Sequence, residues 1–516
     1  MKIFFLMRNS VHLRNYQSLV RALATGGHQI LLGFIKVDQI CPEAVIADLA
    51  KECPRINYII FPKRIWLWRK PADFIRTLQT YIRFLDRRYK DSHKLRERAD
   101  SLLPGFVRNL VKMIVGNNDT KRWSFIYFLR RIENAIPLDS FIVKFLKDLQ
   151  PDVFLITPLI DLHAKQLDWL KCAKSRCIKS GLCVSSWDNL SNKSLIQTEP
   201  DAVFVWNEIQ QREAVELHQI PASKVVITGA QCYDRLFAHQ PSTLKEEFFA
   251  KVGFTEQGDY LLYLCSSKFI APHEIDFIRE WIMRLKKSND PVLNRIGVLV
   301  RPHPQNATQW RDVDLSGYDN VAVYPRDGAN PIRGNTFDDF FDSIYHSVAA
   351  VGINTSSMIE SGILNKPAFT ILSPKFHHAQ NGTLHFQHLV KGGFLNVSGS
   401  LDEHVEQLGR VLADPKAYQG RISVFIQNFV RPHGIAVECT PLFVKAIEDL
   451  ERKATTTSIE KFGTDLIVRI LLFPWAGLSY AYKKSSKILS GYQTSSQSNF
   501  LFRRNSKNIP GKSANT

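Results

Sequence analysis

Residues Val351 to Pro367 have the types and spacing of a strand-to-helix junction that binds phosphate. They read Val-Gly-Ile-Asn-Thr-Ser-Ser-Met-Ile-Glu-Ser-Gly-Ile-Leu-Asn-Lys-Pro, so an apolar strand ends at Ile353 and small hydroxyl residues open a helix. Free backbone N–H groups and the positive end of the helix dipole then point outward, which suits a phosphate. A routine helix cap is the alternative, and this segment alone does not exclude it.

The polar side chains at this junction have two predicted roles. Glu360 lies about one turn into the helix, where its carboxylate can reach ribose or sugar hydroxyls. The residues before it can cap the helix and bind phosphate. These predicted phosphate ligands are Asn354, Thr355, Ser356 and Ser357.

A second motif, Val-Leu-Val-Arg-Pro-His-Pro at residues 298–304, places two more phosphate-binding side chains after a strand. Arg301 offers paired donors for phosphate oxygens, and His303 offers a donor that can become cationic near neutral pH. One arginine or histidine at a strand end is usually structural. Two polar motifs that end strands of the same predicted sheet favour one shared phosphate site.

The loop Ser-Ser-Trp-Asp-Asn-Leu-Ser-Asn-Lys at residues 185–193 carries candidates for the opposite side of a site. Asp188 is a candidate catalytic base, and Asn189 and Lys193 are candidate contacts for an acceptor or a phosphate. The alternative is structural: Trp187 fills the core and Asp188 caps a turn.

The loop after the first strand carries two further candidates, His12 and Arg14. In a doubly wound sheet, ligands bind beyond the carboxyl ends of the strands, and this loop follows one such end. We predict His12 as the second candidate base and Arg14 as a contact for acceptor or phosphate.

The elements that must position these residues alternate between strand and helix, which predicts an α/β fold with two Rossmann-like units and a cleft between them. A chain of 516 residues is too long for one compact core. We predict a first domain over 1–235, with a basic helical insertion at about 63–150, and a second domain over 236–453. Residues 454–516 form a basic tail.

The net charge of +18 is concentrated in two segments. Residues 63–132 contain 18 Lys or Arg and six Asp or Glu, and the chain after Asp465 contains eight Lys or Arg and no acidic residue. A protein that grips nucleic acid would carry this charge on its core domains too. The pattern favours contact with an anionic membrane surface, and a solvated insertion with a disordered tail is the alternative.

Several features bear on the compartment and on metal binding. The eight cysteines lack metal-ligand spacing, the apolar start is too short for a signal peptide, and no uninterrupted apolar stretch is long enough to span a membrane. Residues 466–482 are apolar but contain Arg469 and Pro474, which favours an interfacial segment. We therefore expect a cytoplasmic protein on the inner membrane face, with no cofactor. We also expect no metal site, although four histidines cluster in sequence: His377, His378, His385 and His388.

The order and spacing of these motifs resemble a known superfamily. Arg301-Pro-His-Pro304, then Gly352-x-Asn-Thr-Ser-x-x-x-Glu360 and Lys366-Pro367, is similar to the donor lobe of GT-B glycosyltransferases. Bacterial capsule sugar transferases and CDP-glycerol glycerophosphotransferases look most similar, and UDP-N-acetylglucosamine 2-epimerases share this lobe. The segment from Val225 to Arg235 looks like the end of the first lobe in these families.

The resemblance implies a glycosyltransferase of surface polysaccharide biosynthesis that moves a sugar from a nucleotide-sugar donor to a glycan or lipid-linked acceptor. It leaves open a glycerophosphotransferase or an epimerase on the same fold, and a non-catalytic binding module. Comparable loops in glycerophosphotransferases carry a histidine where this chain has Asp188. That departure leaves the identity of the base open.

Overall fold

Two parallel β-sheets form the centre of the computed structural model, which describes residues 1–160, 164–256, 258–332, 334–453 and 465–489. The first sheet has seven strands in the order β3-β2-β1-β4-β5-β6-β7. Its strands are β1 (Lys2–Asn9), β2 (Gln29–Lys36), β3 (Ile56–Ile60), β4 (Val153–Thr157), β5 (Lys179–Cys183), β6 (Ala202–Val205) and β7 (Val225–Ile227). The strands are near-continuous apolar runs because helices cover both faces of the sheet.

The helices of the first unit follow the doubly wound pattern. Gly27, at a φ of +91°, follows the end of the first helix, where left-handed backbone favours glycine. The helices are α1 (Gln17–Thr25), α2 (Glu43–Glu52), α7 (Ser140–Leu149), α8 (Gln166–Ser175), α9 (Asn189–Asn192) and α10 (Glu208–His218). Residues 63–137 lie outside this pattern and form a separate helical layer.

The helical insertion has its own apolar core, which includes Tyr81, Ile126 and Leu129. Its helices are α3 (Arg69–Phe84), α4 (His93–Asp100), α5 (Gly105–Val115) and α6 (Asp119–Ala135). A buried ionic network fixes this layer to α8: Arg76 contacts Glu133 at 2.7 Å and Asp168 at 2.6 Å.

The second sheet has six parallel strands in the order β10-β9-β8-β11-β12-β13. Its strands are β8 (Tyr260–Leu264), β9 (Gly297–Arg301), β10 (Val321–Val323), β11 (Ala349–Gly352), β12 (Ala368–Ile371) and β13 (Leu395–Ser398). Helices again lie on both faces: α11 (Asp234–Ala238), α12 (Lys245–Val252), α13 (Ile275–Lys286), α14 (Gly334–Tyr345), α15 (Ser357–Ile363), α16 (Leu384–Lys391), α17 (Leu401–Ala413) and α18 (Lys416–Phe429).

Two C-terminal helices return to the first unit. Helix α19 (Cys439–Arg452) buries Phe443, Ile447 and Leu450 in the core beneath the first sheet. Helix α20 (Asp465–Leu489) packs on the insertion, where Phe473 and Trp475 contact the rings of Trp68 and Phe74. None of the helices in the described part of the chain combines the length and apolar character that a bilayer-spanning segment requires.

The predicted α/β class with two Rossmann-like sheets is confirmed, and the differences are local. The apolar pattern of the sequence does not indicate strand β13 or helix α2. Helix α20 continues through Pro474, where the sequence suggested a broken segment. The predicted tail beyond residue 489 lies outside the described residues, and the predicted domain boundaries stay a prediction.

Candidate functional site

A cavity of about 720 Å³ lies where the carboxyl ends of the two sheets face each other. The loop after β1 contributes Arg14 and Asn15, and the loop after β5 contributes Ser185 and Ser186. In each sheet the strand order reverses beside the first strand of the unit, at β1–β4 and at β8–β11. Ligands of doubly wound sheets bind at such reversal points.

The junction after β11 supplies one wall of the cavity through Thr355, Ser356, Ser357 and Glu360. The helix that follows has only seven residues, so its dipole is a small part of any phosphate binding. Asn354 does not line the cavity, contrary to its predicted contact with phosphate. Its buried side chain donates to the Ala379 carbonyl at 2.8 Å and so fixes the loop.

Arg301 is the buried cation of the site, with 5% of its surface exposed. Its Nη1 donates to the Ser343 hydroxyl at 2.8 Å and to the Asp339 carbonyl at 3.3 Å. Its Nη2 is buried and has no hydrogen-bond partner within the described structure. Burial lowers the pKa of Arg301 to about 10, partly offset by Asp339, so the side chain stays cationic near neutral pH. A buried cation with an unused donor suits an anionic ligand.

His303 is a neutral donor rather than the near-neutral cation that the sequence suggested. Burial and the charge of Arg14 lower its pKa to about 4. Its Nδ1 accepts from the Gln305 backbone N–H at 3.1 Å. The ring proton of the neutral form therefore lies on Nε2. His303 lines the cavity beside Arg301.

Glu360 titrates near neutral pH. Burial raises its pKa to about 7, partly offset by the Ser357 side chain and the charges of Arg14 and Arg301. A carboxyl group with this pKa in a cleft is a candidate functional group, because small changes in its surroundings switch its proton.

The other side of the cavity is built on the loop that ends with Arg14 and Asn15. Asn15 Nδ2 donates to the Ser185 carbonyl at 3.0 Å, and Gln231 Nε2 donates to the Asn15 carbonyl at 3.1 Å. These bonds hold the loops after β1 and β5 together with the segment that follows β7. Arg14 is exposed and its charge acts across the cavity on both His303 and Glu360.

Asp188 does not line the cavity. Its carboxylate accepts hydrogen bonds from Ser186 Oγ at 2.7 Å, Asn189 Nδ2 at 3.2 Å and Asn192 Nδ2 at 3.1 Å. Burial opposes ionisation, but His385, Lys193 and these hydrogen bonds outweigh it and hold the pKa of Asp188 below its usual value.

Seven predicted site residues therefore meet at one cavity: Arg14, Arg301, His303, Thr355, Ser356, Ser357 and Glu360. The other five lie outside its wall: His12, Asp188, Asn189, Lys193 and Asn354. Trp187 matches the structural alternative, since it is buried and its ring lies 5.0 Å from that of His385 in the other unit.

The rings of His377 and His378 are adjacent, with centroids 5.5 Å apart, whereas His385 and His388 lie on helix α16 and have other partners. His388 Nε2 lies 2.8 Å from Glu213 Oε1, His378 packs on the ring of His93, and burial lowers the pKa of His385 to about 4. Among the residues that the structure describes, no group of three or more His, Cys, Asp or Glu side chains is placed to hold a metal ion.

Sequence reasoning missed the part of the wall that comes from helices α1 and α2 and from the segment that follows β7. Gln17, Ser18 and Arg21 lie on one face at the start of α1, and Arg21 pairs with Glu52 of α2 at 2.8 Å. Their spacing after the first strand was an available signal. Tyr233, in the segment between β7 and α11, also lines the cavity, and nothing in its local sequence indicates this.

No protein-family model and no curated protein sequence matches the chain. Solved structures do match its fold. A UDP-GlcNAc 2-epimerase from Neisseria meningitidis, solved with UDP-GlcNAc bound, is 14% identical and superimposes with a TM-score of 0.51 over 87% of this chain and 100% of its own. A glycosyltransferase from Rickettsia africae is 10% identical, with a TM-score of 0.50 over 88% of this chain and 99% of its own. The resemblance inferred from the motifs is thus confirmed for the fold: this chain has the GT-B fold, with two parallel sheets arranged as in these two solved structures.

Proposed function

We propose that the chain is a glycosyltransferase that moves a sugar from a nucleotide-sugar donor to a hydroxyl group of a glycan or a lipid-linked acceptor. The observation that carries this proposal is the unused buried Nη2 of Arg301 beside the Nε2–H of His303 in the interlobe cavity. Both groups are fixed donors, and a diphosphate supplies the charged acceptors that they lack.

Arg301 and His303 would also activate the nucleotide sugar for transfer. When the sugar leaves, negative charge develops on the distal phosphate of the nucleotide. Arg301 and His303 are held by Ser343 and Gln305, so they need no reorganisation to stabilise that charge. Glu360, at the same wall, would accept hydrogen bonds from ribose or sugar hydroxyls.

The acceptor hydroxyl needs a base from the first unit, and Asp188 is linked to the cavity by its hydrogen bond with Ser186. Ser186 lines the cavity and donates its hydroxyl proton to Asp188 at 2.7 Å. We propose that the acceptor hydroxyl passes its proton to Ser186 Oγ as Ser186 passes its own to Asp188. His12 stays the second candidate base.

Nucleotide binding is the direct test. UDP, CDP, GDP and CMP, and the matching nucleotide sugars, are titrated against the protein by calorimetry. One nucleotide class is expected to bind, and Arg301→Gln is expected to lose that binding while the exposed Arg311→Gln keeps it. If no nucleotide binds, or if Arg301→Gln binds the nucleotide as tightly as the parent chain does, the assignment of the nucleotide-sugar site is wrong.

An epimerase is the second candidate, because Glu360 lines the cavity and burial raises its pKa to about 7, a value that suits a side chain that transfers protons near neutral pH. Turnover without an acceptor separates the two reactions. An epimerase converts the nucleotide sugar to its isomer when it is alone in solution, whereas a transferase releases the nucleotide only with an acceptor. CDP-glycerol in the same assay tests for a glycerophosphotransferase. A chain that binds a donor and converts none is a binding module.

We also propose that the acceptor is reached at an anionic membrane surface on the cytoplasmic side. The support is the concentration of basic charge in the insertion and after Asp465. Co-fractionation with membranes that is lost at high salt tests this location.

A further inference from the structure

Exposed apolar side chains are concentrated on three helices, α5, α6 and α20. Among the described residues, 21 large hydrophobic side chains are exposed, and fourteen of them lie on these helices. Soluble proteins scatter such residues singly, and a concentration of them marks a contact surface. The fourteen are Phe106, Leu110, Met113, Ile114, Tyr127, Phe128, Leu466, Ile467, Ile470, Leu471, Phe473, Trp475, Leu478 and Tyr482.

Helix α5 is apolar on the side that should be polar. Phe106, Leu110 and Met113 follow each other at helical spacing, and they are 75%, 50% and 76% exposed. Its opposite side buries Val111 and Val115 in the core of the insertion. An outer face of this kind is stable only when something apolar covers it.

Helix α20 likewise has apolar residues on both its exposed side and its buried side. Leu471 and Leu478 are each 74% exposed, while Leu472 and Ala476 face the core of the insertion. The helix packs on α3 and α6, and α6 packs on α5. Helices α5 and α20, whose residues are at least 350 positions apart in the sequence, thus belong to one group of packed helices. The sequence of either helix alone does not predict this grouping.

The charges around these apolar residues are mostly positive. Lys112 on α5, Lys121 on α6 and Lys484 on α20 are exposed, and α5 contains no acidic residue. Lysine and arginine beside Trp, Tyr and Phe are typical of a helix at the headgroup level of a membrane. A second protein copy would gain nothing from facing like charges at its own equivalent surface.

We propose that α5, α6 and α20 together form a docking surface for an anionic lipid bilayer, into which their apolar side chains insert while the lysines contact lipid phosphates. The inference rests on the proposed membrane location for its choice of partner. It adds that the insertion and the C-terminal helix act as one unit, and that neither spans the bilayer. Nucleotide binding by the cavity does not depend on it.

Vesicle flotation of the full chain tests the docking surface. The vesicles contain phosphatidylcholine alone, or equal parts phosphatidylcholine and phosphatidylglycerol, at low and high salt. The parent chain is expected to float with the anionic vesicles. High salt is expected to reduce the fraction of protein that floats at least tenfold. Leu471→Glu/Leu478→Glu on α20 and Phe106→Glu/Met113→Glu on α5 are each expected to reduce flotation at least tenfold.

The matched control is Leu244→Glu/Val424→Glu, which changes two comparably exposed apolar residues of the second unit, 68% and 61% exposed, and should float like the parent chain. Three results would overturn the inference: no flotation of the parent chain, equal loss in the control, or a mass measurement showing a dimer that the α5 and α20 variants dissociate. Calorimetric titration with UDP, CDP, GDP and CMP separates the two proposals. Variants that fail to float but still bind nucleotide support the docking surface, whereas a parent chain that floats but binds no nucleotide contradicts only the proposed function.

Discussion

The Nη1 atom of Arg301 donates to the hydroxyl of Ser343 at 2.8 Å, which fixes the guanidinium at the end of β9 and leaves Nη2 unpaired. Lysine at this position would keep the charge but lose the paired donors. We therefore expect Arg301→Lys to weaken nucleotide binding about 10- to 100-fold, the loss expected for one charge-assisted hydrogen bond. Calorimetry measures the affinity.

Ser343→Ala tests whether this anchoring matters. It keeps the arginine and removes only the hydroxyl that orients it, so a smaller loss, below that of Arg301→Lys, is expected. Ser343 does not line the cavity. Equal affinities in the parent chain and both variants would contradict a role for Arg301 in phosphate binding.

His303 is expected to act as a neutral Nε2–H donor across the neutral range. Nitrogen chemical shifts of the imidazole should report the Nε2–H tautomer from about pH 5 upward, since the pKa is about 4. The folded pKa is below the ordinary 6.5, so the unfolded chain binds more protons between these values. The stability contributed by His303 thus rises as pH increases from about 4 to 6.5.

Two variants separate the roles of the His303 ring nitrogens. His303→Asn keeps an acceptor for the Gln305 N–H but lacks the Nε2 donor, whereas His303→Ala removes both. We expect both variants to lose nucleotide affinity and only the alanine variant to lose thermal stability as well. A titration of the imidazole near pH 6.5 would contradict the neutral assignment.

The protonation of Glu360 should make binding of a nucleotide sugar depend on pH. The negative diphosphate opposes ionisation of a carboxyl group in the same cavity, so binding is expected to take up a proton near pH 7. Affinity should fall as pH rises above 7, by at most about tenfold per pH unit for one proton. Calorimetry in buffers of different ionisation heat counts the protons.

Glu360→Gln should bind with little pH dependence. Glu274 is the matched control, because burial raises its pKa to about 7 as well, yet it bonds to the Ser266 N–H and the Tyr263 hydroxyl and does not line the cavity. Glu274→Gln should therefore keep the pH dependence. If both variants keep it, or both lose it, Glu360 is not the group that couples to the donor.

The sequence predicts one wall of the site better than the other for a physical reason. Arg301, His303 and Glu360 follow or open elements whose boundaries are visible as apolar runs that end in polar residues. The face of α1 that carries Gln17 and Arg21 becomes a wall of the cavity only because the two sheets face each other. That arrangement depends on tertiary packing and is not visible in the local sequence. The displaced pKa values of His303 and Glu360 likewise depend on burial that no local pattern encodes.

The same limit applies to the fold. Most strands in the described part of the chain are continuous apolar runs, because they are buried on both faces, and such runs are visible in the sequence. Strand β13 is four residues long, alternates with Asn396 and Ser398, and lies at the edge of its sheet, so its pattern is weak. Helix α20 continues through Pro474 because packing on α3 and α6 offsets what the lost backbone hydrogen bond costs.

The buried ionic network that fixes the insertion should dominate its stability. Glu133 accepts from Arg76 at 2.7 Å and Lys171 at 3.2 Å, and Asp168 contacts both Arg76 and Arg69. Glu133→Ala removes the carboxylate that pairs with the buried Lys171 and leaves the buried Arg76 with Asp168 alone. A loss of about 3–5 kcal/mol is therefore expected in urea unfolding followed by tryptophan fluorescence. Glu97→Ala, an exposed carboxylate of the same insertion, should change stability by less than about 0.5 kcal/mol.

The ionic network also predicts that the protein loses stability in acid. Burial raises the pKa values of Glu133 and Asp168, but the adjacent cations outweigh it and hold both below their ordinary values. Their stabilisation is present above those ordinary values and is lost as pH falls through the lower folded ones. Glu133→Gln should therefore show a shallower loss of stability with acid than the parent chain, and identical acid profiles would contradict the assignment.

The orientation of the two units should depend on Asp234. This residue follows the segment by which the chain leaves the first unit, and it bonds Arg431 and Thr440 where the chain returns to that unit. Its Oδ1 accepts from Arg431 Nη2 at 2.9 Å, and its Oδ2 accepts from the Thr440 N–H at 2.7 Å. Asp234→Ala leaves the buried Arg431 charge unpaired, and a loss of about 3–5 kcal/mol is expected. Small-angle scattering should show a larger radius of gyration, and nucleotide affinity should fall with it.

A second variant at the same crossing separates orientation from charge. Gly229 has a φ of +79°, and a Cβ atom there would lie 2.3 Å from Cys439 Sγ. Gly229→Ala thus pushes α19 away from the segment that follows β7 without changing any charge, and it should enlarge the scattering radius as Asp234→Ala does. Gly420→Ala, where a Cβ meets nothing within 4 Å, is the control and should leave both radius and affinity unchanged. If Gly229→Ala weakened stability while leaving radius and affinity as in the parent chain, this crossing would only support the fold and would not set the width of the cavity.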